Sequence, residues 1–319
     1  MTKSSIAATL TAAFILCVAA SSGNAQTQNV LLVPDSVNDR VSAFSAFDGS
    51  IVDLDFIVDT TNLDSPVNAI ASGRGTIFVS EDDNGVFEYD SSGNLIGNFA
   101  GPDQGLGGVG GLETNGDSLF VVSSQGDDSI QEFNLVTGVQ STWATEDDTS
   151  ALRGSNDILF RENDVLVSAF FSDNIERFDL DGNFLSTFVD GNGDDGIDFP
   201  LQIHEASNGD IFAAGLQAPG GIYQYDSDGD LIEFFDVDSV RGVHELDNGN
   251  LLFSSAGLGV VVLDLETGAQ TEITRGVEIG AWQSIERVTI TAVPEPSGVL
   301  LVTMVALPMI VRRKRRVGF

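Results

Sequence analysis

The sequence predicts an all-β fold, namely a six-bladed β-propeller that is closed by strands from both chain termini. Short apolar runs alternate with turns, a unit of four such runs recurs, and the first and last units are incomplete. Four-stranded units of about 45 residues are typical of propeller blades. The predicted domains are a signal peptide at 1–25, the β-propeller at 26–292 and a C-terminal segment with an apolar helix at 293–319.

The unit between Asp157 and Val189 shows the pattern most clearly. Apolar and polar side chains alternate in its third run, which is the period of a β-strand and not of a helix. Asp181-Gly182, between the last two runs, is a typical hairpin turn. The four predicted strands are Asp157–Arg161, Val165–Ala169, Asn174–Leu180 and Phe184–Val189.

A glycine in the last hairpin marks the same point in every unit. Tight hairpin turns require a positive φ, so glycine is the expected residue there. An earlier turn, usually Asn-Gly, also recurs before apolar runs such as SLFVVSS and DIFAAG. The hairpin glycines predict six blades, and they are Gly49, Gly93, Gly138, Gly182, Gly229 and Gly268.

The two incomplete units predict how the ring closes. The first unit lacks an innermost strand, and the last unit is followed by an additional run at Gln283–Ile290. If that run supplies the innermost strand of the blade Asn29–Ile57, no sheet edge is left unpaired. The alternative, an open sandwich with a ragged last strand, explains neither feature.

Residues 1–25 have the features of a secretory signal peptide. Lys3 precedes an apolar stretch, Ile6–Ala20, and the segment ends in the small-x-small site Gly23-Asn24-Ala25. The single cysteine, Cys17, lies in the apolar stretch. The mature protein is therefore expected to be exported and to contain neither a disulfide nor a reactive thiol.

The acidic balance of the propeller argues against some partners. All 48 acidic residues lie between Asp35 and Glu295, where the basic residues are eight arginines, so this body carries a charge of −40. Repulsion between like charges argues against nucleic acid and against anionic membrane surfaces. The charge favours solubility and association with cations, and it is equally typical of adaptation to a saline habitat.

One face of the propeller is predicted to be strongly negative, because acidic loops such as EDDN, TEDDTS and DGNGDDGIDFP all fall on it. The last of these alternates oxygen side chains as a calcium loop does, but it lacks the glycine and the final glutamate of an EF-hand. The similar stretch Asp226–Asp230 is interpreted as hairpin turn chemistry. The candidate ligands for Ca²⁺ or another divalent metal are Asp190, Asn192, Asp194, Asp195 and Asp198.

The two histidines of the chain form a candidate catalytic or metal site. His204 and His244 each stand five residues before the glycine of an Asn-Gly turn, and each precedes a glutamate, Glu205 or Glu245. They are predicted to be neighbours in adjacent blades, early in the innermost strands and near the acidic face. Two imidazoles beside carboxylates can bind a divalent metal or transfer protons.

Duplication of a structural His-Glu pair is the alternative explanation of this arrangement. Neighbouring blades can share a pair of residues because one repeat arose from the other. Under either explanation the other blades carry unrelated residues at the matching positions, which are predicted to be Ile70, Gly111 and Ile158.

The chain ends in three distinct segments. Pro294-Glu295-Pro296 cannot continue a sheet ladder, so it ends the propeller and begins an extended tether. Fourteen largely apolar residues, Gly298–Val311, precede the basic cluster Arg312–Arg316. A helix of that length spans about 21 Å, less than a bilayer core of about 30 Å, so it is a weak permanent anchor. The basic cluster favours the cytoplasmic side, which places the propeller outside the inner membrane.

This end resembles the PEP-CTERM sorting signal of Gram-negative bacteria that make exopolysaccharide, over about 27 residues from Val293. The resemblance implies recognition by an exosortase-type membrane peptidase, after signal peptidase has removed the leader. It also implies transient anchoring in the inner membrane, removal of the tail, and delivery to the cell surface or extracellular matrix. An exopolysaccharide or a matrix protein is then the expected partner. An ordinary tail anchor is the alternative, but it needs a longer apolar segment.

The body resembles NHL-repeat and lactonase-like six-bladed propellers more loosely, through units such as NIERFDLDGNFLSTF. Lactonase-like propellers hold a metal in the central channel with Glu, Asn and Asp side chains. Glu113, Asn156 and Asp157 lie where such ligands are expected, although no family motif assigns them. The His-Glu spacing is similar to that of streptogramin-lyase-type propellers. Fold alone does not give function.

Two functions therefore stand side by side: a surface-sorted propeller that binds a matrix polymer or protein, and a metal-dependent secreted hydrolase or lyase. Motifs such as Gly-x-Ser-x-Gly and His-Glu-x-x-His are absent. The sequence favours the non-catalytic binding module, because its sorting signal is specific and its catalytic signal is not.

Overall fold

The computed structural model of the protein describes residues 26–124, 128–145, 151–191, 196–275 and 280–292. Within these ranges the chain forms twenty-four strands in six four-stranded sheets, which are the blades of a β-propeller. None of the described segments is a helix long and apolar enough to cross a membrane. The prediction of an all-β six-bladed propeller is confirmed. The predicted signal peptide and sorting helix lie outside the described residues.

Each blade has an innermost strand beside the central channel and three further strands toward the outside. From the channel outward, blade 1 contains β24 (Glu286–Ala292), β1 (Gln26–Asp35), β2 (Arg40–Ser45) and β3 (Ile51–Val58). Blade 2 contains β4 (Pro66–Ala71), β5 (Thr76–Glu81), β6 (Gly85–Asp90) and β7 (Leu95–Ala100). Blade 3 contains β8 (Val109–Asn115), β9 (Ser118–Ser123), β10 (Ser129–Asn134) and β11 (Gln140–Thr145).

The other three blades repeat this order, and a short 3-10 turn at Pro102–Gln104 connects blades 2 and 3. Blade 4 contains β12 (Ser155–Phe160), β13 (Val165–Ala169), β14 (Asn174–Phe178) and β15 (Phe184–Asp190). Blade 5 contains β16 (Pro200–Glu205), β17 (Ile211–Gly215), β18 (Gly221–Tyr225) and β19 (Leu231–Asp236). Blade 6 contains β20 (Val240–Glu245), β21 (Leu251–Ser255), β22 (Gly259–Leu263) and β23 (Gln270–Glu272).

The second strands carry the core of the propeller. β13, β17 and β21 are buried along their whole length, whereas the outermost strand β23 is exposed. A strand buried on both faces reads as a continuous apolar run, which explains sequences such as the VLVSA of β13. Six clusters of buried side chains fill the spaces between neighbouring blades. The blades are thus held together by apolar packing.

The recurring hairpins are fixed by an aspartate as well as by a glycine. Asp226 accepts hydrogen bonds from the backbone N–H groups of Asp228 at 2.9 Å and Asp230 at 3.0 Å, and these bonds lower the pKa of Asp226. Gly229 has a φ of 97°, a conformation that residues with a side chain rarely adopt. The interpretation of Asp226–Asp230 as turn chemistry is confirmed by this geometry.

Both ends of the described chain contribute to blade 1. β24 lies beside β1, as predicted for a ring closed by strands from both termini. Asp35, at the end of β1, bridges to Trp282, and its buried carboxylate pairs with Arg40 at 3.2 Å. The regular strand begins at Glu286 and not at the predicted Gln283, because the chain leaves the ladder between the Trp282 bridge and Glu286.

Candidate functional site

The innermost strands of blades 2–6 are each interrupted near their start by a β-bulge. The register of β4 against β5 shifts between Pro66 and Asn68, and that of β12 against β13 shifts between Ser155 and Asp157. β8, β16 and β20 show the same shift. A bulge re-aims one side chain away from the ladder. Because these strands converge on the channel, the bulge residues meet at one mouth.

This end of the channel, called here the bulge mouth, holds a pocket of about 430 Å³. The aromatic rings of Phe170, Phe171 and Phe199 form one wall of the pocket. In blade 1, Gln283 takes the corresponding place, since it directly follows the bridge to β1. The pocket is therefore ringed by one residue from every blade. This bulge ring consists of Val67, Gly110, Asn156, Leu201, Arg241 and Gln283.

A second layer, the middle ring, lies one residue further along each strand and closes the channel. Gln202 reaches from β16 across β20 to β24. Its Oε1 accepts the backbone N–H groups of Val243 at 3.0 Å and Ile285 at 2.8 Å, and its Nε2 donates to Glu286 Oε1 at 2.8 Å. Glycine is required at position 242, because a Cβ there would lie 2.9 Å from Gln202 Oε1. The middle ring consists of Asn68, Gly111, Asp157, Gln202, Gly242 and Ser284.

Asp157 and Asn68 show how the middle ring is bonded. Asp157 is buried, and its Oδ2 accepts the N–H of Ile203 in the next blade at 2.9 Å. Gly111 makes room for it, because a Cβ at 111 would collide with Asp157 Oδ1. Asn68 is completely buried as well. Its side chain interacts with Glu286 and lowers the pKa of that carboxyl, yet neither polar atom of the Asn68 amide makes a well-aligned hydrogen bond among the described residues. In the middle ring, the side chains of Asp157 and Gln202 thus form hydrogen bonds to neighbouring blades, whereas the amide of Asn68 lacks a well-aligned hydrogen bond.

A third layer, the end ring, lies two residues further along the strands. His204 pairs with Phe212 in the second strand, and Glu113 pairs with Phe120 in the same way. The isolated bridge of blade 1 puts Glu286 in the corresponding register. The end ring consists of Ile70, Glu113, Leu159, His204, His244 and Glu286.

Three carboxyl groups of the middle and end rings influence one another. Burial raises the pKa of Glu113 to about 8 and that of Asp157 to about 7. Burial also raises the pKa of Glu286 well above its ordinary value, and the negative charges of Asp157 and Glu113 raise it further. The hydrogen bond from Gln202 opposes this shift. Glu113 is therefore largely protonated at neutral pH, and the same effects favour the protonated form of Glu286.

The two histidines lie side by side, as predicted. Their ring centroids are 3.9 Å apart and the ring planes make an angle of 30°. Nδ1 of His244 lies 2.7 Å from the carbonyl oxygen of Glu245, so this nitrogen carries the proton when the ring is neutral. Burial lowers the pKa of His244 to about 4 and that of His204 well below its ordinary value, and Arg287 lowers both further. Both imidazoles are therefore neutral at pH 7.

The predicted position of the histidines along their strands is wrong. His204 and His244 are the fifth residues of six-residue strands, so they lie at the opposite end of the channel from the acidic loops. The Asn-Gly turn follows the innermost strand directly, so a residue five positions before its glycine falls near the end of the strand. The register also corrects the matching positions, which are Ile70, Glu113 and Leu159 and not Ile70, Gly111 and Ile158.

This histidine mouth opens into a cleft of about 580 Å³ that contains all four candidate catalytic residues. Glu205 is exposed in the cleft. Glu245 accepts the backbone N–H of Ser207 at 2.7 Å and its hydroxyl at 3.0 Å, so this carboxylate caps a turn. Arg287 pairs with Asp247 at 2.8 Å on the same side. The cleft thus brings together two neutral imidazoles, the exposed Glu205, and two carboxylates that already have partners, Glu245 and Asp247.

The candidate metal loop and the sorting residues are mostly outside the described residues. Asn192, Asp194 and Asp195 are not described, and neither is Pro294-Glu295-Pro296. Asp190 ends β15, and Asp198 lies near Asp173, with burial and then the charge of Asp173 raising the pKa of Asp198. Within the described ranges, no group of three or more Asp, Glu or His side chains has an arrangement that could hold a metal ion.

Sequence reasoning missed Arg241, Gln202 and Glu286. Arg241 and Gln202 were not singled out because the residues at equivalent bulges share no chemistry and leave no sequence pattern. Glu286 lies in a strand that was identified only as the closing strand. The one available indication is the glycine at positions 111 and 242, where the chain needs space beside a larger neighbour.

Comparisons with known proteins identify the fold. No protein-family profile and no curated protein sequence matches the chain. A crystal structure of a protein of unknown function from Bacteroides caccae is 17% identical, with a TM-score of 0.60 over 82% of this chain and 99% of that chain. A chain of a nidogen/laminin complex is 12% identical, with a TM-score of 0.64 over 81% and 98%.

A third similar structure is catalytically inactive virginiamycin B lyase from Staphylococcus aureus with quinupristin. It is 11% identical, with a TM-score of 0.55 over 83% of this chain and 96% of that chain. The three structures therefore include a protein of unknown function, a chain of a protein complex and a lyase. At these identities the likeness establishes that the chain has the fold of a β-propeller and leaves its activity to the site itself.

Proposed function

We propose that this protein is an exported, surface-sorted propeller that binds an extracellular polymer or protein at the bulge mouth without chemical change. The observation that supports this most strongly is the pocket of about 430 Å³, to which every blade contributes one residue of the bulge ring. Concave sites with aromatic walls and a few convergent polar groups are the usual form of a ligand site. Asp157, His204 and His244 do not line this pocket, and the carboxylate among its lining residues is Asp82.

Export and sorting belong to the same proposal. The leader at 1–25 directs secretion, and Pro294-Glu295-Pro296, the apolar segment and the basic tail form a sorting signal. An exosortase-type membrane peptidase is the proposed processing partner, after transient anchoring in the inner membrane. The mature protein then resides on the cell surface or in the extracellular matrix.

Intact-mass measurement of the released protein tests this sorting. We expect a chain that begins near Gln26 and ends between Pro294 and Ser297. A variant with Pro294-Glu295-Pro296 replaced by alanines should retain its C-terminal tail and remain associated with the membrane. Released wild-type protein that still carries Arg312–Arg316 would contradict the sorting signal.

A polymer-binding experiment tests the proposed function itself. The mature protein is mixed with polygalacturonate, dextran or chitosan, and size-exclusion chromatography with light scattering measures both co-elution and polymer mass. We expect co-elution with at least one polymer and no change in its mass. Failure to bind any of the three, or shortening of a bound polymer, would contradict a non-catalytic binding module for matrix polysaccharide.

A metal-dependent hydrolase or lyase, lactonase-like or streptogramin-lyase-like, is the alternative. The observation that favours it is the pair His204 and His244, with ring centroids 3.9 Å apart in a cleft that also contains Glu205 and Glu245. In the polymer experiment an enzyme of this kind shortens its substrate. The double variant H204A/H244A should then lose both the activity and any divalent metal found by elemental analysis, whereas N156A at the other mouth should keep both.

A further inference from the structure

The aromatic wall of the bulge mouth is built from two loops. Phe170 and Phe171 follow β13, and Phe199 precedes β16. The rings of Phe170 and Phe199 are stacked, with centroids 4.6 Å apart, and Phe171 lies 4.3 Å from Phe170. Phe171 is 58% exposed. An exposed aromatic cluster on a highly acidic protein indicates a surface that contacts a ligand.

The backbone at Phe199 is held in an unfavourable conformation that positions this ring. Its φ is 55°, which is rare for a bulky residue and strains the backbone. Asp173 compensates, because its Oδ1 accepts the N–H of Phe199 at 3.0 Å, and the carbonyl of Phe199 accepts the N–H of Leu216 at 3.2 Å. Strain that is fixed from two sides is characteristic of functional sites.

Arg241 is the cationic member of the bulge ring, and it differs from the other arginines of the propeller. Two of the eight, Arg74 and Arg153, are exposed, and five form an ion pair with an aspartate or glutamate. Arg241 is half-buried, has no described carboxylate within 4.0 Å, and its buried Nε has no hydrogen-bond partner among the described residues. Burial without a counter-charge lowers its pKa. An unpaired, partly desolvated guanidinium is suited to binding an anion.

The acidic loops around the pocket do not neutralise Arg241, because several of their carboxylates are used within the fold. Glu81 accepts backbone N–H groups of Ser65 at 3.0 Å and Asp83 at 3.1 Å. Asp173 supports Phe199 as described above. Asp82 lines the pocket without pairing with Arg241. Longer-range repulsion of an anion by the remaining surface charge is reduced at physiological salt, where the screening length is about 8 Å.

The geometry points to a ligand that combines a carboxylate with a ring bearing an apolar face. Arg241 binds the carboxylate through its planar guanidinium, and the ring lies against Phe170, Phe171 and Phe199. Asn156 and Gln283 of the bulge ring offer donors and acceptors for hydroxyl groups. Two sources share this chemistry, namely a uronic acid residue of an acidic polysaccharide and an aromatic carboxylic acid. This inference rests on the proposed function, because it assigns the ligand class of the same pocket.

Calorimetric titration of the mature protein tests the inference with two acids and their neutral counterparts. D-galacturonate is compared with D-galactose, and phenylacetate is compared with benzyl alcohol. We expect at least one acid to bind about tenfold or more tightly than its neutral counterpart, because a hydrogen-bonded charge is worth about 1.5–3 kcal/mol. Preference for galacturonate identifies the uronic acid, and preference for phenylacetate identifies the aromatic acid. Either result supports the inference.

Substitutions at the pocket identify the residues responsible. Arg241→Gln should weaken binding of the acid about tenfold or more and leave binding of the neutral compound unchanged. Arg241→Lys should recover part of the affinity, since it keeps the charge but loses the planar fork. Phe171→Ala should weaken both compounds. Arg287→Gln, at the histidine mouth, is the matched control and should change neither, and the thermal unfolding of each variant verifies folding.

Three results would overturn the inference: no binding of either acid, equal binding of acid and neutral compound, or full affinity in Arg241→Gln. These outcomes are distinct from failure of the proposed function. If a polymer co-elutes with Arg241→Gln as it does with the wild-type protein, the binding function stands and the assigned site is wrong. If the acids bind through Arg241 but no polymer binds, the site stands and the matrix function is wrong.

Discussion

A chain that ends at Arg275, and therefore lacks β24, should fail to form a stable propeller. The lost segment buries Trp282 and Ile285 between blades 6 and 1, and Val288 and Ile290 between blades 1 and 2. Burial of one large apolar side chain contributes about 1.5–3 kcal/mol. Four such side chains together approach the whole stability of a typical domain, which is about 5–15 kcal/mol. The truncation also leaves the edge of β1 unpaired.

Circular dichroism and size-exclusion chromatography measure this effect. The truncated chain should lose its cooperative thermal transition or elute as aggregates. The matched control is a chain that ends at Ala292, which removes 293–319 but keeps β24, and it should unfold like the full-length protein. If the chain ending at Arg275 melts within a few degrees of this control, closure by β24 contributes little and the packing argument is wrong.

Stability should fall as the pH rises from 6.5 to 8.5, which is the reverse of the usual behaviour of carboxyl groups. The folded pKa of Glu113 is raised to about 8, and burial likewise raises that of Glu286. A carboxyl whose folded pKa exceeds its unfolded value stabilises the fold at low pH and loses that contribution as the pH approaches the folded pKa. Each pKa unit corresponds to about 1.4 kcal/mol, so Glu113 alone should cost about 2 kcal/mol between pH 6.5 and its folded pKa of about 8, and Glu286 acts in the same direction.

The histidines set the lower limit of this pH window. The pKa of His244 is lowered to about 4 and that of His204 is also lowered, so the unfolded state binds more protons than the folded state below about pH 6.5. Stability contributed by the neutral imidazoles therefore rises with pH up to about 6.5 and opposes the carboxyl effect there. About one unit above that pH the histidines are neutral in both states, and the carboxyl groups alone determine the slope.

Urea unfolding at several pH values tests the assignment to Glu113. Glu113→Gln keeps an oxygen that can accept the N–H of Thr114, now bonded at 2.9 Å, and removes the ionisable group. The variant should therefore be more stable than the wild-type protein at pH 8.5, with a flatter pH dependence. Glu205→Gln, at an exposed position of the histidine mouth, is the control and should keep the wild-type slope. Equal slopes for Glu113→Gln and wild type would show that Glu113 is ionised in the folded protein.

The fold could be predicted from the sequence because its determinants are local. Glycines such as Gly182 and Gly229 stand at turns that require a positive φ, and their spacing counts the blades. The partnership of Gln283–Ile290 with the first blade followed from the missing strand alone. These features depend on the backbone and on apolar patterning, both of which leave a periodic trace.

The candidate site could be predicted only in part. His204 and His244 were identified as neighbours from their equivalent places in two repeats. The end of the channel at which they lie could not be predicted, because that depends on where the innermost strands begin and end. Asn156 was expected in the channel only as a possible metal ligand, through the resemblance to lactonase-like propellers. Arg241 could not be identified, because equivalent bulges do not require the same type of residue. Both residues line one pocket, and this pocket exists only in the folded protein, where six innermost strands with unrelated residues meet around the channel.

The buried middle ring closes the central channel, so the channel does not connect the bulge mouth with the histidine mouth. Gln202 and Asp157 are almost completely buried, and Asn68 is completely so. Solutes and water entering at the bulge mouth are therefore stopped before they reach the end ring of the described chain. Glu113 and Glu286 lie beyond that barrier, so their protons exchange with the medium from the side of His204 and His244. The propeller consequently has two separate cavities, one at each end of the channel, and each cavity exchanges with the solution only on its own side.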